Sequence, residues 1–467
     1  MNKQLNKRRS TQYRTERDPL GETSVPAEAL YGGQTQRALD NFQISNLKIH
    51  PEFIVALAEI KKAAAAANFS TNKLALKEST AIIRAAEEII DGQWRDQFQL
   101  DVFQAGAGTS LNMNMNEVIA NRALELMGAQ RGDYSKLHPN DHVNRSQSTN
   151  DVFPTALRLA SVRLMRQLSK VIDDLSETFE VKATEFSDIR KSGRTHLHDA
   201  VPMTLGDEFS GYAENISRAA GRVSETEEFL LEVPLGGTAV GNGVNTHPDY
   251  ARLAVAELSR ITRLDLCQSP NRFQSMQSLG DFVALSAALR GFAIELGKIA
   301  NDLRLLSSGP HTGLDEIELP AVQPGSSIMP GKVNPSIPEM VNMVCFHVVG
   351  QDTAIMMCAD AGQLELNVTM PYVAYALLES LKVMATAART FDHKCVRGIR
   401  AHRERCSEYA ERTVGLAALR NEELGFMAAA ELAQRAIASG KTVQELVQEE
   451  KAGAVKDGHD LRSRIKA

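Results

Sequence analysis

Apolar side chains recur every three or four residues along three long segments of this chain. In the first the set is Leu157, Ala160, Leu164, Leu168, Val171, Leu175 and Phe179. In the second it is Phe209, Tyr212, Ile216, Ala219 and Val223; in the third, Leu279, Val283, Ser286, Leu289, Ala293, Leu296, Ala300 and Leu303. That spacing puts one apolar stripe on each of three helices. Two more helical stretches follow, roughly Ser336–Met357 and Pro371–Phe391. Five long helices with few strand signals predict an all-α chain built on a helix bundle. The stretch from Pro51 to Trp94 is helical too, and its alanine run, Ala63–Ala67, favours helix and close packing. Asn112–Leu126 predicts another helix, with Thr109 or Ser110 as its cap. Residues 1–50 are rich in turn formers, and the chain beyond Gly398 reads as a small helical appendix whose charged end, Lys451–Ala467, is expected to fray. These breaks divide the chain into an N-terminal domain (1–147), a central helix-bundle domain (148–398) and a small C-terminal helical domain (399–467).

Four polar stretches interrupt the helices. The first carries Thr109 and Ser110, and the second Ser148, Thr149 and Asn150. The third runs Ser192-Gly193-Arg194-Thr195-His196-Leu197-His198-Asp199 and reads as irregular. The fourth, Gly325 to Pro335, holds two glycines and two prolines, which forbid a regular helix or strand. Taken singly, each has a plainer role: Thr109 and Ser110 as caps, Ser148 to Asp151 as the cap of the next helix, His196 as a structural histidine. Together they predict one pocket of hydroxyls, amides, a histidine and a lysine. In the fourth stretch, loop N–H groups and the Lys332 ammonium would favour the alkoxide of Ser326, making it a candidate base or nucleophile.

Charge and composition narrow the choices. A net charge of −6 over 467 residues argues against nucleic acid as the main partner, so an anionic substrate needs a local cationic pocket. There is no H-x-x-H, no cysteine pair and no carboxylate cluster, so no metal is expected. No G-x-G-x-x-G follows a strand, so no nucleotide cofactor is expected either. The five cysteines show no disulfide framework and suit a reducing cytoplasm. The basic start, Lys3 to Arg9, leads into no apolar region of a signal peptide, and no apolar run is read as long enough to span a membrane.

The fourth stretch, Gly325-Ser326-Ser327-Ile328-Met329-Pro330-Gly331-Lys332-Val333-Asn334, resembles the G-S-S-x-M-P-x-K-x-N signature of the aspartase/fumarase superfamily. The resemblance runs from about Arg14 to about Leu446. It implies a three-domain lyase whose long helices assemble into a tetrameric helical core, with pockets built from stretches of three subunits. It also implies elimination of an amine or water from a small dicarboxylate to release fumarate. Ser326 would remove the Cβ proton, with His196 and Lys332 as further catalytic groups. Thr109, Ser148, Thr149 and Ser327 would hold the β-carboxylate, where enediolate charge accumulates. Thr195, Lys332 and Asn334 would hold the α-carboxylate, and Asn150 and His196 the α-ammonium. A carbon acid beside a carboxylate is weak, and a ring of preorganised donors is what stabilises its dianionic enediolate.

Within the superfamily, Gly108-Thr109-Ser110, Ser148-Thr149-Asn150 and Ala361 to Val368 resemble the branch that deaminates L-aspartate. His138-Pro139-Asn140-Asp141 resembles the second anion site of the hydrating branch, the class II fumarate hydratases that interconvert L-malate and fumarate, which is the alternative reading. His198 stands where the deaminating branch commonly has Gln, and Leu419-Arg420-Asn421-Glu422 departs from the usual Leu-Asn-Pro. A catalytically silent helical scaffold would have no need of Ser326, Lys332 and Asn334 together.

Overall fold

The computed structural model describes residues 12–452; the basic start at Lys3 to Arg9 and the tail from 453 onward lie outside the described residues. The five apolar stripes become the helices Thr149–Glu185, Leu205–Ser224, Gly280–Leu306, Ser336–Asp360 and Met370–Lys394. The fold is mostly helical, as the periodicity requires. The run after Pro51 divides into Pro51–Ser70 and Leu76–Ile90, at a turn where Asn72 takes a φ of +54°. Pro51 opens its helix where a missing N–H is no loss, and the His50 ring accepts from the Glu52 N–H. The helix Tyr250–Thr262 is an addition that the sequence reading did not pick out.

The chain packs as two compact units, and each cut between them falls inside a long helix. The first takes the chain up to Ser169, Gly221–Gly291 and Phe346–Met384. In it, Pro51–Ser70 lies against Leu76–Ile90 and Tyr250–Thr262, and Leu76–Ile90 packs on Thr109–Leu126. Ala56, Ala63 and Ala64 are fully buried, so small side chains let these axes approach closely. Gly108 sits at φ +87°, and a Cβ there would lie 2.1 Å from the Phe153 ring, which itself packs on Phe53 at 4.6 Å between centroids. Only glycine satisfies both demands, so Gly108 occupies the N-cap of Thr109–Leu126 and has no side chain of its own to cap it. The expectation that Thr109 or Ser110 caps it is therefore corrected. They are its first two helical residues, and in the same turn the Leu111 N–H donates to Gln104 Oε1 at 3.0 Å.

The second unit takes Lys170–Ala220, Phe292–Cys345 and the chain from Ala385. Its core holds an aromatic cluster in which Phe179 meets Phe209, Tyr212 and Phe391 at 6.0, 5.9 and 6.3 Å. Here the third polar stretch is corrected from irregular chain to an antiparallel hairpin, Arg190–Thr195 paired with His198–Thr204. His196 and Leu197 make the reversal with φ of +56° and +60°. Two left-handed central residues are what a two-residue hairpin turn demands, and Asn-Gly usually supplies them. The helix Arg403–Arg412 packs on the first hairpin strand, and beyond it Leu416, Leu432, Ala436, Val443 and Leu446 form a small core of their own.

The helix Ser336–Asp360 corrects a further expectation: by length and composition alone it could cross a membrane, although a third of the apolar window is buried. Asn342 and Asp352 on it are engaged within the fold. Asn342 Nδ2 donates to Gly297 O at 3.0 Å, while Asp352 accepts from Ser286 Oγ at 2.7 Å and from Arg290 at 2.6 Å.

The packing at Gly108 yields a stability prediction. Gly108→Ala forces a left-handed alanine and a clash with Phe153, and is expected to cost about 2–4 kcal/mol. Urea denaturation of the two proteins measures it.

Candidate active site

In the first unit the polar side chains converge on the start of Thr149–Glu185. Ser148 Oγ accepts from the Asn150 N–H at 3.2 Å, and Asp151 reaches back to the Ser148 N–H at 2.9 Å, so the two residues cap the helix reciprocally. The other Asp151 oxygen accepts from Gly236 N–H and Thr238 N–H, both at 3.0 Å. Asp151 has no solvent exposure. Burial pushes its carboxyl up to about 6, against the pull of those three N–H groups and of Lys61. Asn150 Nδ2 donates one hydrogen to Ala239 O at 2.8 Å, which leaves Oδ1, an acceptor, and the second Nδ2 hydrogen open. Thr149 is buried, and its Oγ1 accepts from Asn112 Nδ2 at 3.1 Å. Thr109 sits exposed in the first turn of its own helix. The turn before it is braced by Ala107 N–H donating to Val368 O at 2.9 Å.

In the second unit the loop from Gly325 to Asn334 is closed at its neck. Gly325 N–H donates to Lys332 O at 2.9 Å, and Asn334 Nδ2 donates to Gly325 O at 2.6 Å. Asn334 thus spends one of its two amide hydrogens on the loop itself and keeps one for a ligand. Ser326 Oγ accepts from two backbone N–H groups, Ile328 at 3.2 Å and Met329 at 3.0 Å. Both favour an anionic oxygen at that position. Ser326 is half-buried, whereas Ser327 and Lys332 are exposed and Ile328 is 84% exposed. A cavity of about 570 Å³ adjoins the loop and is lined by Lys332 and Asn334 with Asp315, Glu318 and His402.

Thr195 and His196 stand exposed at the tip of the hairpin. Its first strand is held by ion pairs. Lys191 Nζ lies 2.6 Å from Glu208 and 2.8 Å from Glu316, and Arg194 lies 2.9 Å from Glu316. Glu316 is fully buried, Lys191 nearly so, and the Arg194 guanidinium covers the Tyr409 ring at 5.2 Å. Charges this deep persist because each is paired. No hydrogen bond joins the hairpin tip to the loop of Ser326 among the described residues.

The candidate residues therefore form separate groups: Thr109, Ser148, Thr149 and Asn150 in the first unit, and Thr195, His196, Ser326, Ser327, Lys332 and Asn334 in the second. Among the described residues no three His, Cys, Asp or Glu side chains converge as a metal site. Sequence reasoning missed Lys61, Asn112, Lys191 and Glu316. Lys61 did leave a signal, since a lysine interrupts the apolar face between Leu57 and Ala64.

The chain is similar to known proteins over most of its length. A family model described as Lyase matches residues 21–350. An aspartate ammonia-lyase of Bacillus subtilis (strain 168) is 47% identical over 435 residues, covering 93% of this chain and 92% of the relative. A solved fumarate lyase:delta crystallin from Brucella melitensis, bound to cobalt, superposes with a TM-score of 0.91 at 48% identity, over 94% of this chain and 96% of that one. A class II fumarase from Schistosoma mansoni superposes with a TM-score of 0.92, but at 36% identity, over 94% and 96% of the two chains.

Proposed function

This chain belongs to the lyase family, and we infer that it is an ammonia-lyase, catalysing the reversible deamination of L-aspartate to fumarate and ammonia. The relative of B. subtilis at 47% identity supports this substrate over L-malate, for which the support is a structural neighbour at 36%. The observation that carries the chemistry is the pair of backbone N–H groups, from Ile328 and Met329, aimed at Ser326 Oγ.

The reaction follows from these groups as our own reading. Ser326, as alkoxide, takes the Cβ proton, and the electron pair passes into the β-carboxylate to give an enediolate dianion. Thr109, Ser148, Thr149 and Ser327 donate to that dianion. Lys332, Thr195 and the remaining Asn334 N–H hold the α-carboxylate, with Lys332 as a compact point charge. Collapse of the enediolate forms the double bond and breaks the C–N bond, releasing ammonia. Asn150 offers its open Oδ1 to the α-ammonium, and His196 accepts through a ring nitrogen. An ammonium fills both acceptors, whereas a hydroxyl has a single hydrogen to give. Each unfilled acceptor in a dry pocket costs about 1–3 kcal/mol, so the leaving group decides between the two substrates.

We further propose a homotetramer in which three subunits complete each pocket. The support is the exposure of Ile294, Met343, Phe346, Met356 and Met357 on two of the long helices, at 57, 64, 70, 53 and 66%. Apolar faces of this kind on a single chain call for a partner, and a further copy of the bundle offers the same face in return. A cytoplasmic location accords with five free cysteines.

Three measurements test these readings. Ser326→Ala is expected to lower kcat by about 10²–10⁴-fold while aspartate still binds; near-normal turnover in a folded variant removes Ser326 from the mechanism. Comparing kcat/KM for L-aspartate and L-malate in one preparation should favour aspartate by roughly 10²-fold or more, and a preference for malate would establish the hydrating reading. Light scattering is expected to give four chains, and a fully active monomer would contradict the shared pocket.

A further inference from the structure

Behind Thr149 lies a buried cation that the reaction does not use. Lys61 is fully buried, and its Nζ donates to three side-chain amide oxygens: Asn112 Oδ1 at 2.8 Å, Asn144 Oδ1 at 2.9 Å and Gln147 Oε1 at 3.0 Å. Burial pushes the ammonium down, to about 7, and the Asp151 charge pulls the other way. Three oxygens at hydrogen-bond distance favour the charged form further, because a neutral amine would turn a lone pair against one of them.

A lysine ammonium can only donate, and this fixes the sense of the bonds beyond it. Asn112 must present its oxygen to Lys61, which leaves its Nδ2 facing Thr149. That nitrogen donates to Thr149 Oγ1 at 3.1 Å, and more weakly to Asn144 Oδ1 at 3.3 Å. Thr149 Oγ1 is then occupied as an acceptor, and its own hydrogen is free to be given away. Were Asn112 turned over, its oxygen would compete for that hydrogen.

We propose that Asn112, held by Lys61, is a positioning residue that sets the direction of the Thr149 hydroxyl, so that its O–H donates to the substrate carboxylate. The proposal rests on the reading of Thr149 as a substrate donor. Lys61 and Asn112 touch no substrate; they act through Thr149 by reserving its hydrogen for the carboxylate before the substrate arrives. Such preorganisation matters most for a donor aimed at charge that grows during the reaction.

The test is a double-mutant cycle in the full-length enzyme, read as kcat/KM for L-aspartate, with thermal unfolding recorded for each protein. Asn112→Asp keeps the shape and the contact to Lys61, but it can only accept from Thr149, so the sense of the relay reverses. Thr149→Val removes the hydroxyl. Thr149→Val is expected to lower kcat/KM by about 10²-fold, and Asn112→Asp alone by up to a similar factor. In the Thr149→Val background Asn112→Asp should then change kcat/KM by less than about twofold, since the group it acts through is gone. Equal fold-losses in both backgrounds would overturn the proposal and leave Thr149 as a substrate donor. Undiminished activity of Thr149→Val would overturn it by removing Thr149 from the substrate site. If Asn112→Asp does not fold, Asn112→Ala removes the donor without reversing it, and the same cycle decides.

Discussion

A carboxylate withdrawn from water must find its donors inside the fold, and Asp151 finds three of them in backbone N–H groups. One comes from Ser148, at the head of its own helix, and two come from Gly236 and Thr238, far along the chain. Losing any of them would leave buried charge uncompensated, so the two segments cannot drift apart without a penalty. Ser148, Thr149 and Asn150 sit on this clamp, and the Asn150 amide adds a further tie to Ala239. Lys61, buried and opposite in charge, supports the same carboxylate while ordering the amides around it. The placement of the Thr149 hydroxyl, which we propose faces the substrate, thus depends on two charges that never meet solvent.

The second unit uses the same device with other residues. Glu316 takes two cations of the hairpin, Lys191 and Arg194, and so anchors the strand that presents Thr195 and His196. The loop of Ser326 is held differently, by its own backbone and by Asn334 across its neck. Ion pairs hold the hairpin, whereas local hydrogen bonds hold a loop that keeps apolar side chains such as Ile328 in solvent.

Much of this was legible in the amino acids. The stripe from Leu157 to Phe179 announces its helix because burial on one face imposes a period of 3.6. The Ser326 loop is visible because Gly325, Pro330, Gly331 and Pro335 admit neither helix nor strand. What stayed hidden has physical reasons. The hairpin could not be read because His196-Leu197 lacks the residues that signal a tight turn. The cap before Thr109 was misplaced because the choice of Gly108 is made by Phe153, which arrives from another helix. Lys61, Asn112 and Thr149 are separated by long stretches of chain, and the sense of their hydrogen bonds exists only once folding has brought them together.

The turn at His196-Leu197 also bears on how the protein could evolve. Two side chains held in left-handed backbone store conformational strain, of order 1–3 kcal/mol for each such residue. Glycine or asparagine would relieve it, yet glycine or asparagine at the first position would remove an imidazole. On the role proposed for His196, selection for thermal robustness and selection for turnover pull on the same dipeptide in opposite directions, and drift toward easier turn chemistry at the tip would register first as lost activity in a sturdier protein.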